Sequence, residues 1–401
     1  MNKLLHYVFR YVVQYGSLDV IYSDGSKKHY KGKYPGIHAG LSLRTPAAER
    51  ALLFNPALSF GEKYMSGEIV PQKNDLESVL HLFLFNIEKG TLFSDRLLRG
   101  LGRFLHHLKP SFLRNNLQKS KKNISHHYDI NHNLYRLFLD KDLQYSCAYF
   151  KTGKESLEEA QIAKKKHIAQ KLALTSKNLH VLDIGCGWGG LAITLAKDYG
   201  VKVTGITLSK EQLSIAQKRV EKAGLSHLVD FKLSDYRSLH QKFDRIVSVG
   251  MLEHVGKSQY EEFFSGVKRL LKTKGVALIH SIGRKDGPYA TNPWIARYIF
   301  PGGYSPALSE VFQAVENSKL WVTDCEILRL HYAETIKHWR QRFEANQAEI
   351  KKMFDEKFVR MFRFYLTSAE LAFRVQDHMN FQIQLSNQLE TLPLTRDYLK
   401  D

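Results

Sequence analysis

Apolar and polar positions fall into two regimes along the chain. In the first, Leu18 to Tyr22 alternates with period two, Ser23-Asp24-Gly25 is turn-forming and Lys27 to Lys33 resumes the strand, which predicts a β-hairpin. Ala47 to Phe54 and Leu76 to Ile87 place apolar side chains at helical spacing, completing a small α+β domain of about 90 residues. From residue 178, strand-length apolar runs alternate with helical stretches. His180 to Ile184, Val201 to Ile206, Leu228 to Leu233, Phe243 to Val249, Val276 to Ile282, Trp321 to Leu330 and Met379 to Leu385 read as seven strands, with long helices between Ala333 and Gln376. The expected fold class is α/β, a mostly parallel seven-stranded sheet wrapped by helices. Pro110 and the polar stretch Asn115 to Asn123 break the pattern, so the expected domains are 1–105 and 123–401, joined by a basic linker at 106–122.

With 401 residues, 43% hydrophobic and 25% charged, the chain is of ordinary globular composition and long enough for two domains. No run approaches the roughly 18 apolar residues a transmembrane helix needs. Met1 to Tyr15 is apolar enough to resemble a signal peptide, but Arg10 interrupts it and no small-residue cleavage site follows, so a cytoplasmic location is expected. Cys147, Cys186 and Cys325 lie far apart with no metal-ligand spacing, which argues against a disulfide framework and a metal site. The formal charge of +19 calls for an anionic partner, either nucleic acid or lipid headgroups. Residues 1 to 122 hold 19 basic and 9 acidic side chains, and from Arg96 to Lys122 basic residues interleave with Leu97, Leu98, Leu101, Phe104, Leu105, Leu108 and Phe112. Such a segment suits a membrane interface, or equally an interdomain helix whose charges are merely solvated. His29 and His38 read as isolated surface residues.

The first strand of the second domain runs into Gly185-Cys186-Gly187-Trp188-Gly189-Gly190. A dinucleotide site would want a carboxylate at the end of the next strand, where Thr207-Leu208-Ser209 stands instead. Asp183, two residues before the glycines, makes the run resemble the first motif of class I S-adenosylmethionine-dependent methyltransferases. The third strand leads to Asp235-Tyr236, expected to edge and stack an adenine. After the fourth strand comes Met251-Leu252-Glu253-His254-Val255-Gly256, which lacks the Pro-Pro-aromatic element of many base methyltransferases. Nucleic acid is therefore not the expected partner.

Further blocks accumulate in order: Ser59-Phe60-Gly61-Glu62-Lys63-Tyr64-Met65-Ser66-Gly67, His127-Tyr128-Asp129, Tyr145-Ser146-Cys147-Ala148-Tyr149-Phe150, Leu157-Glu158-Glu159-Ala160-Gln161, Thr207-Leu208-Ser209-Lys210-Glu211-Gln212, His280-Ser281-Ile282-Gly283, Tyr298-Ile299-Phe300-Pro301-Gly302-Gly303 and His331-Tyr332-Ala333-Glu334-Thr335. Through them nearly the whole chain resembles the cyclopropane-fatty-acyl-phospholipid synthases, in their long bacterial form. The resemblance implies transfer of a methylene from S-adenosylmethionine to a cis double bond of a phospholipid acyl chain. It also implies a carbocation deprotonated by bound bicarbonate, with Cys147, Glu253, His280, Ile282 and Tyr332 as the bicarbonate positions. Tyr149, Phe150 and Tyr332 are aromatic faces available to a cation. Cofactor contacts carry over onto Tyr145, Ser146, Asp183, Gly185, Gly187, Gly189, Thr207, Leu208, Gln212, Asp235 and Tyr236. Trp188 is expected to pack, and His254 to have a structural role. Where many relatives have a cysteine near the C-terminus, this chain has Ala369, which excludes a covalent thiol there. The resemblance further implies a homodimer, peripherally bound to anionic lipid at the inner face of the membrane through a lipid-binding N-terminal domain. Pro293 to Phe300 suits either the rim of an acyl tunnel or a buried contact. Two alternatives stand beside this: methyl-branching without ring closure, which retention of all five bicarbonate positions opposes, and a nucleic-acid methyltransferase.

Overall fold

The computed structural model describes residues 2–90 and 132–399. The expected basic linker, the amphipathic segment from Arg96 to Lys122 and the His127-Tyr128-Asp129 block lie outside the described residues. Among the described residues, no helix is long and apolar enough to cross a membrane.

The chain forms two compact units. The first contains a four-stranded sheet of β1 (Tyr15–Ile21), β2 (Lys27–Lys31), β3 (Tyr34–Leu43) and β4 (Ile69–Pro71), in the order β2-β1-β3-β4. The expected hairpin is β1–β2, closed by Tyr22 N–H to Ser26 O at 2.9 Å. Strand β3, which Tyr34-Pro35-Gly36 disguised, pairs parallel to β1 and buries Ala39, Leu41 and Leu43. These meet Leu5 and Phe9 of helix Lys3–Val12 and Val79 and Leu82 of helix Leu76–Glu88 in one core. Asn86 is 1% exposed and locks helix to sheet, its Oδ1 accepting from the amides of Gln14 and Tyr15 at 2.9 and 2.8 Å. His29 and His38 are not isolated, since both reach Asp19, at 2.6 and 3.3 Å.

The expected contiguous block 123–401 is corrected in one respect: Tyr289–Pro301 and Ile336–His378 belong with the first unit. Packing, which ignores chain order, is the reason. Trp294 is 1% exposed, edge-on to Phe364 at 4.6 Å, and lies over Gly61, where a Cβ would stand 2.4 Å from its Nε1. Arg340 bridges Glu77 and Glu370 at 2.8 and 2.9 Å. Within 293–300, Trp294 and Ile299 are buried, while Ile295, Tyr298 and Phe300 are partly exposed.

The second unit is built on a seven-stranded sheet: β5 (His180–Ile184), β6 (Lys202–Thr207), β7 (Val229–Leu233), β8 (Phe243–Val249), β9 (Leu271–Arg284), β10 (Trp321–Leu328) and β11 (His378–Ser386). Its order is β10-β11-β9-β8-β5-β6-β7. The pairs β5–β6, β6–β7, β5–β8 and β8–β9 are parallel, and β10–β11 is antiparallel. Side chains alternate across the sheet: Leu182 and Ile184 enter the core made with helices Tyr260–Leu270 and Leu308–Ser318, while Val181 enters the opposite core with helices Leu157–Lys171 and Gly190–Tyr199. Asp183 shares the second face with Val181, a carboxylate where an apolar residue would ordinarily stand.

Candidate active site

The turns that follow β5, β6, β7 and β8 all leave the same edge of the sheet, where ligands bind in open α/β folds. There they enclose a pocket. Tyr145, Ser146, Asp183, Gly185, Gly187, Thr207, Leu208, Gln212, Asp235 and Tyr236 all line it, so every residue expected against the cofactor is present except Gly189. Gly189 has φ +82°, caps helix Gly190–Tyr199, and faces Phe231, whose Cζ would lie 2.6 Å from an added Cβ. The missing side chain lets the helix approach the sheet.

The polar groups of the wall are largely paired with one another. Thr207 Oγ1 donates to Gln212 Oε1 at 2.7 Å, and Ser209 caps the helix that carries Gln212. Asp235 accepts from the backbone N–H, Nε and Nη2 of Arg237 at 2.8–2.9 Å. Tyr236 is buried edge-on to Phe263 at 5.3 Å. Asp183 differs: it is 2% exposed, its Oδ2 has no hydrogen-bond partner, and burial raises its pKa to about 7. Sequence reasoning missed Gln144, Gly190, Met251 and Arg237, assigned Trp188 to packing and gave His254 a structural role. Trp188 does pack, 5.0 Å from Tyr135, but also lines the pocket. His254 lines it too, kept neutral by burial, with its pKa lowered to about 4.

None of the five expected bicarbonate residues lines this pocket, but Cys147, Glu253 and His280 each adjoin a residue that does. Cys147 follows Ser146, Glu253 precedes His254, and the His280 carbonyl accepts from the Gly250 amide at 2.8 Å. Glu253 Oε1 accepts from the Ile282 amide at 2.7 Å, while Oε2 is buried without a partner. Burial raises the Glu253 pKa to about 7. His280 is 1% exposed, and desolvation, aided by the charge of Lys164, lowers its pKa to about 3. Its Nδ1 lies 3.1 Å from the amide nitrogen of Gln382, which places the ring proton on Nε2, an atom with no protein acceptor. Cys147 is fully desolvated, and burial holds its thiol protonated. The next amide, Ala148 N–H, donates to Thr335 Oγ1 at 2.9 Å, tying Cys147 to the helical turn that carries Tyr332. One buried acceptor and one buried donor, both without protein partners, fit a small anion that bears a hydroxyl. The Tyr149 ring is stacked on His167 and His331, at 4.3 and 4.9 Å, so its faces are already engaged.

Sheet order, glycine turn and pocket define a class I S-adenosylmethionine-dependent methyltransferase. Residues 115–383 match the family model described as mycolic acid cyclopropane synthetase. The chain is 38% identical over 362 residues to the cyclopropane-fatty-acyl-phospholipid synthase of Escherichia coli K12, covering 88% of this chain and 89% of that one. It is 32% identical over 370 residues to the tuberculostearic acid methyltransferase UfaA1 of Mycobacterium tuberculosis, covering 89% and 84%. The crystal structure of the mycolic acid cyclopropane synthase CmaA1 complexed with SAH and CTAB superposes with a TM-score of 0.62 at 33% identity, covering 66% of this chain and 97% of that one. The chain belongs to the mycolic acid cyclopropane synthetase family.

Proposed function

We propose that the protein transfers a methylene from S-adenosylmethionine to the cis double bond of an unsaturated acyl chain in a membrane phospholipid, closing a cyclopropane ring. The observation that carries this reading is the pair of buried, unpartnered atoms behind the cofactor pocket, Glu253 Oε2 and His280 Nε2. An alkene is a weak nucleophile, so a methyl donor must be held in line with it in a dry site. Alkylation leaves a carbocation, and ring closure requires loss of a proton from the added methyl. His280 is unsuited to take that proton, being a poor base at a pKa of about 3, and Glu253 has one of its two oxygens already held by the Ile282 amide. A bicarbonate bound by Cys147, Glu253, His280, Ile282 and Tyr332 would supply the base. Glu253 would accept the anion's hydroxyl proton and His280 would donate to one of its oxygens, which fixes its orientation. The relative named for cyclopropane-fatty-acyl-phospholipid synthesis supports the lipid substrate.

The same reading puts the protein on an anionic bilayer surface as a peripheral enzyme. Helix Lys3–Val12 supports this: Leu4, Tyr7, Val8 and Tyr11, at positions i, i+3, i+4 and i+7, are 37–63% exposed, flanked by exposed Lys3 and Arg10, with no acidic residue on the helix.

The test is mass spectrometry of cis-unsaturated phospholipid vesicles incubated with the protein, S-adenosylmethionine and bicarbonate. Gain of one methylene with resistance to hydrogenation is expected. The same gain with a surviving double bond would replace ring closure by methyl-branching, and no gain would overturn the lipid reading.

A further inference from the structure

Helix Leu157–Lys171 turns an unusual face inward. At spacings that ordinarily bury apolar residues, Gln161 and Lys164 are each 1% exposed. Both grip the segment 144–146. Gln161 Nε2 donates to the carbonyls of Gln144 and Ser146, at 3.3 and 3.0 Å. Lys164 Nζ donates to their side chains, at 2.5 Å to Gln144 Oε1 and 2.9 Å to Ser146 Oγ. Gln144 and Ser146 line the cofactor pocket, whereas Lys164 does not.

The hydrogen-bond polarity of this arrangement is fixed. An ammonium can only donate, so Ser146 Oγ is an acceptor toward Lys164 and its own hydrogen must be donated elsewhere. Gln144 is oriented in the same way, its Oε1 toward Lys164 and its Nε2 donating to Asp142 Oδ2 at 3.0 Å. The pocket wall at Ser146 therefore offers a donor backed by a buried positive charge, a combination suited to a carboxylate. S-adenosylmethionine carries one, on its amino-acid end.

We infer that Lys164 is a positioning residue of the cofactor site, which turns the Ser146 hydroxyl into the pocket as the donor for the carboxylate of the cofactor's amino-acid end. The inference rests on the cofactor assignment and not on the acyl substrate. A second consequence concerns Asp183, whose carboxylate lies in the field of the same ammonium. The charged and titratable groups around Lys164 are Asp140, Asp142, Lys165, Cys147, Asp183 and His280; burial lowers its own pKa to about 8, with Asp140 opposing. Removing its charge raises the pH at which Asp183 ionises.

The experiment is calorimetric titration of the full chain with S-adenosylhomocysteine and with 5′-methylthioadenosine, which lacks the amino-acid end. Wild type, Lys164→Met and Ser146→Ala are compared from pH 6 to pH 9, with melting temperatures as a check on folding. Both variants should bind S-adenosylhomocysteine about tenfold or more weakly while binding methylthioadenosine within about twofold of wild type. In Lys164→Met the midpoint of the pH dependence of S-adenosylhomocysteine binding should also move upward. Equal weakening of both ligands would reduce Lys164 to a structural clamp and overturn the proposal, as would unchanged S-adenosylhomocysteine binding in both variants. If Lys164→Met does not fold, Ser146→Ala decides alone by the same ratio. Failure of wild type to bind S-adenosylhomocysteine would instead overturn the cofactor assignment itself.

Discussion

The cofactor pocket and the acid–base set behind it are adjacent yet built on opposite principles. In the pocket wall, polar groups are mostly paired with one another: Thr207 with Gln212, Asp235 with Arg237, Ser146 and Gln144 with Lys164. Behind it, Glu253 Oε2 and His280 Nε2 are buried with no protein partner; desolvation keeps His280 neutral and raises the Glu253 pKa to about 7. A paired wall is preorganised and spreads its hold on a ligand over many contacts. Unpaired buried groups cost stability and concentrate their function in a few atoms. Asp183 is the exception in the wall, unpaired at Oδ2 and raised to about 7, and it behaves as a member of the second class.

The largest effect should therefore come from the acid–base set. Glu253→Gln should lower turnover by about 10²–10⁴-fold, the usual weight of a positioned proton-transfer system. S-adenosylhomocysteine affinity should stay within about twofold, because Glu253 is not part of the pocket wall. Parallel loss of affinity and turnover would erase the distinction between the two regions.

The same substitution should stabilise the unliganded protein, and the sign depends on pH. Glu253 ordinarily ionises at 4.5, but at about 7 in the fold. Between those values the unfolded chain releases a proton that the folded chain keeps, so wild-type stability falls as pH rises through the window and levels off above about 7. The amide of Glu253→Gln does not ionise and so carries no such cost. Thermal melts should show the variant close to wild type at pH 4 and more stable at pH 8, by up to about 3 kcal/mol at about 1.4 kcal/mol per unit. A constant difference across the range would mean that Glu253 is not desolvated as described.

Asp183→Asn should weaken S-adenosylhomocysteine binding about tenfold or more and flatten its pH dependence, which in wild type should strengthen as pH rises through about 7 and Asp183 ionises. Unchanged affinity would make Asp183 a strand-end turn residue.

What the sequence made legible follows from the range over which each signal acts. Strand runs such as His180 to Ile184 and Phe243 to Val249, and the glycine turn, are local patterns, and their bounds match the structure. The cofactor residues were legible because they sit in the turns that directly follow those strands. The association of 289–301 and 336–378 with the first unit was not legible, because the Trp294–Gly61 contact joins residues more than two hundred positions apart. Lys164 was hidden for a related reason. In Ala163-Lys164-Lys165-Lys166 it looks like one of three solvated lysines, yet Lys166 is exposed while Lys164 is buried. Only a helical projection that placed Lys164 in line with Leu157, Ala160, Gln161 and Ile168 would have singled it out. Strand β3 was missed because Pro35 and Gly36 mask a strand whose apolar alternation starts only at Ala39.

The smallest effect should come from the best-paired part of the wall. Arg237 lines the pocket, but its Nε and Nη2 are both committed to Asp235 and its guanidinium lies 5.6 Å over the Tyr236 ring. Asp235 is in turn also held by the Arg237 backbone amide, a contact that survives replacement of the side chain. Arg237→Ala therefore removes an ion pair between a buried carboxylate and a partly exposed guanidinium, while the turn that presents Asp235 stays capped by the backbone amide. It also leaves the Asp235 carboxylate more available to a ligand donor, which offsets part of that loss. S-adenosylhomocysteine affinity should change by less than about threefold, in either direction, and more weakly still in high salt. A loss above tenfold would show that the guanidinium itself grips the cofactor, and would move Arg237 from the paired wall into the small group of residues, with Asp183, on which binding is concentrated.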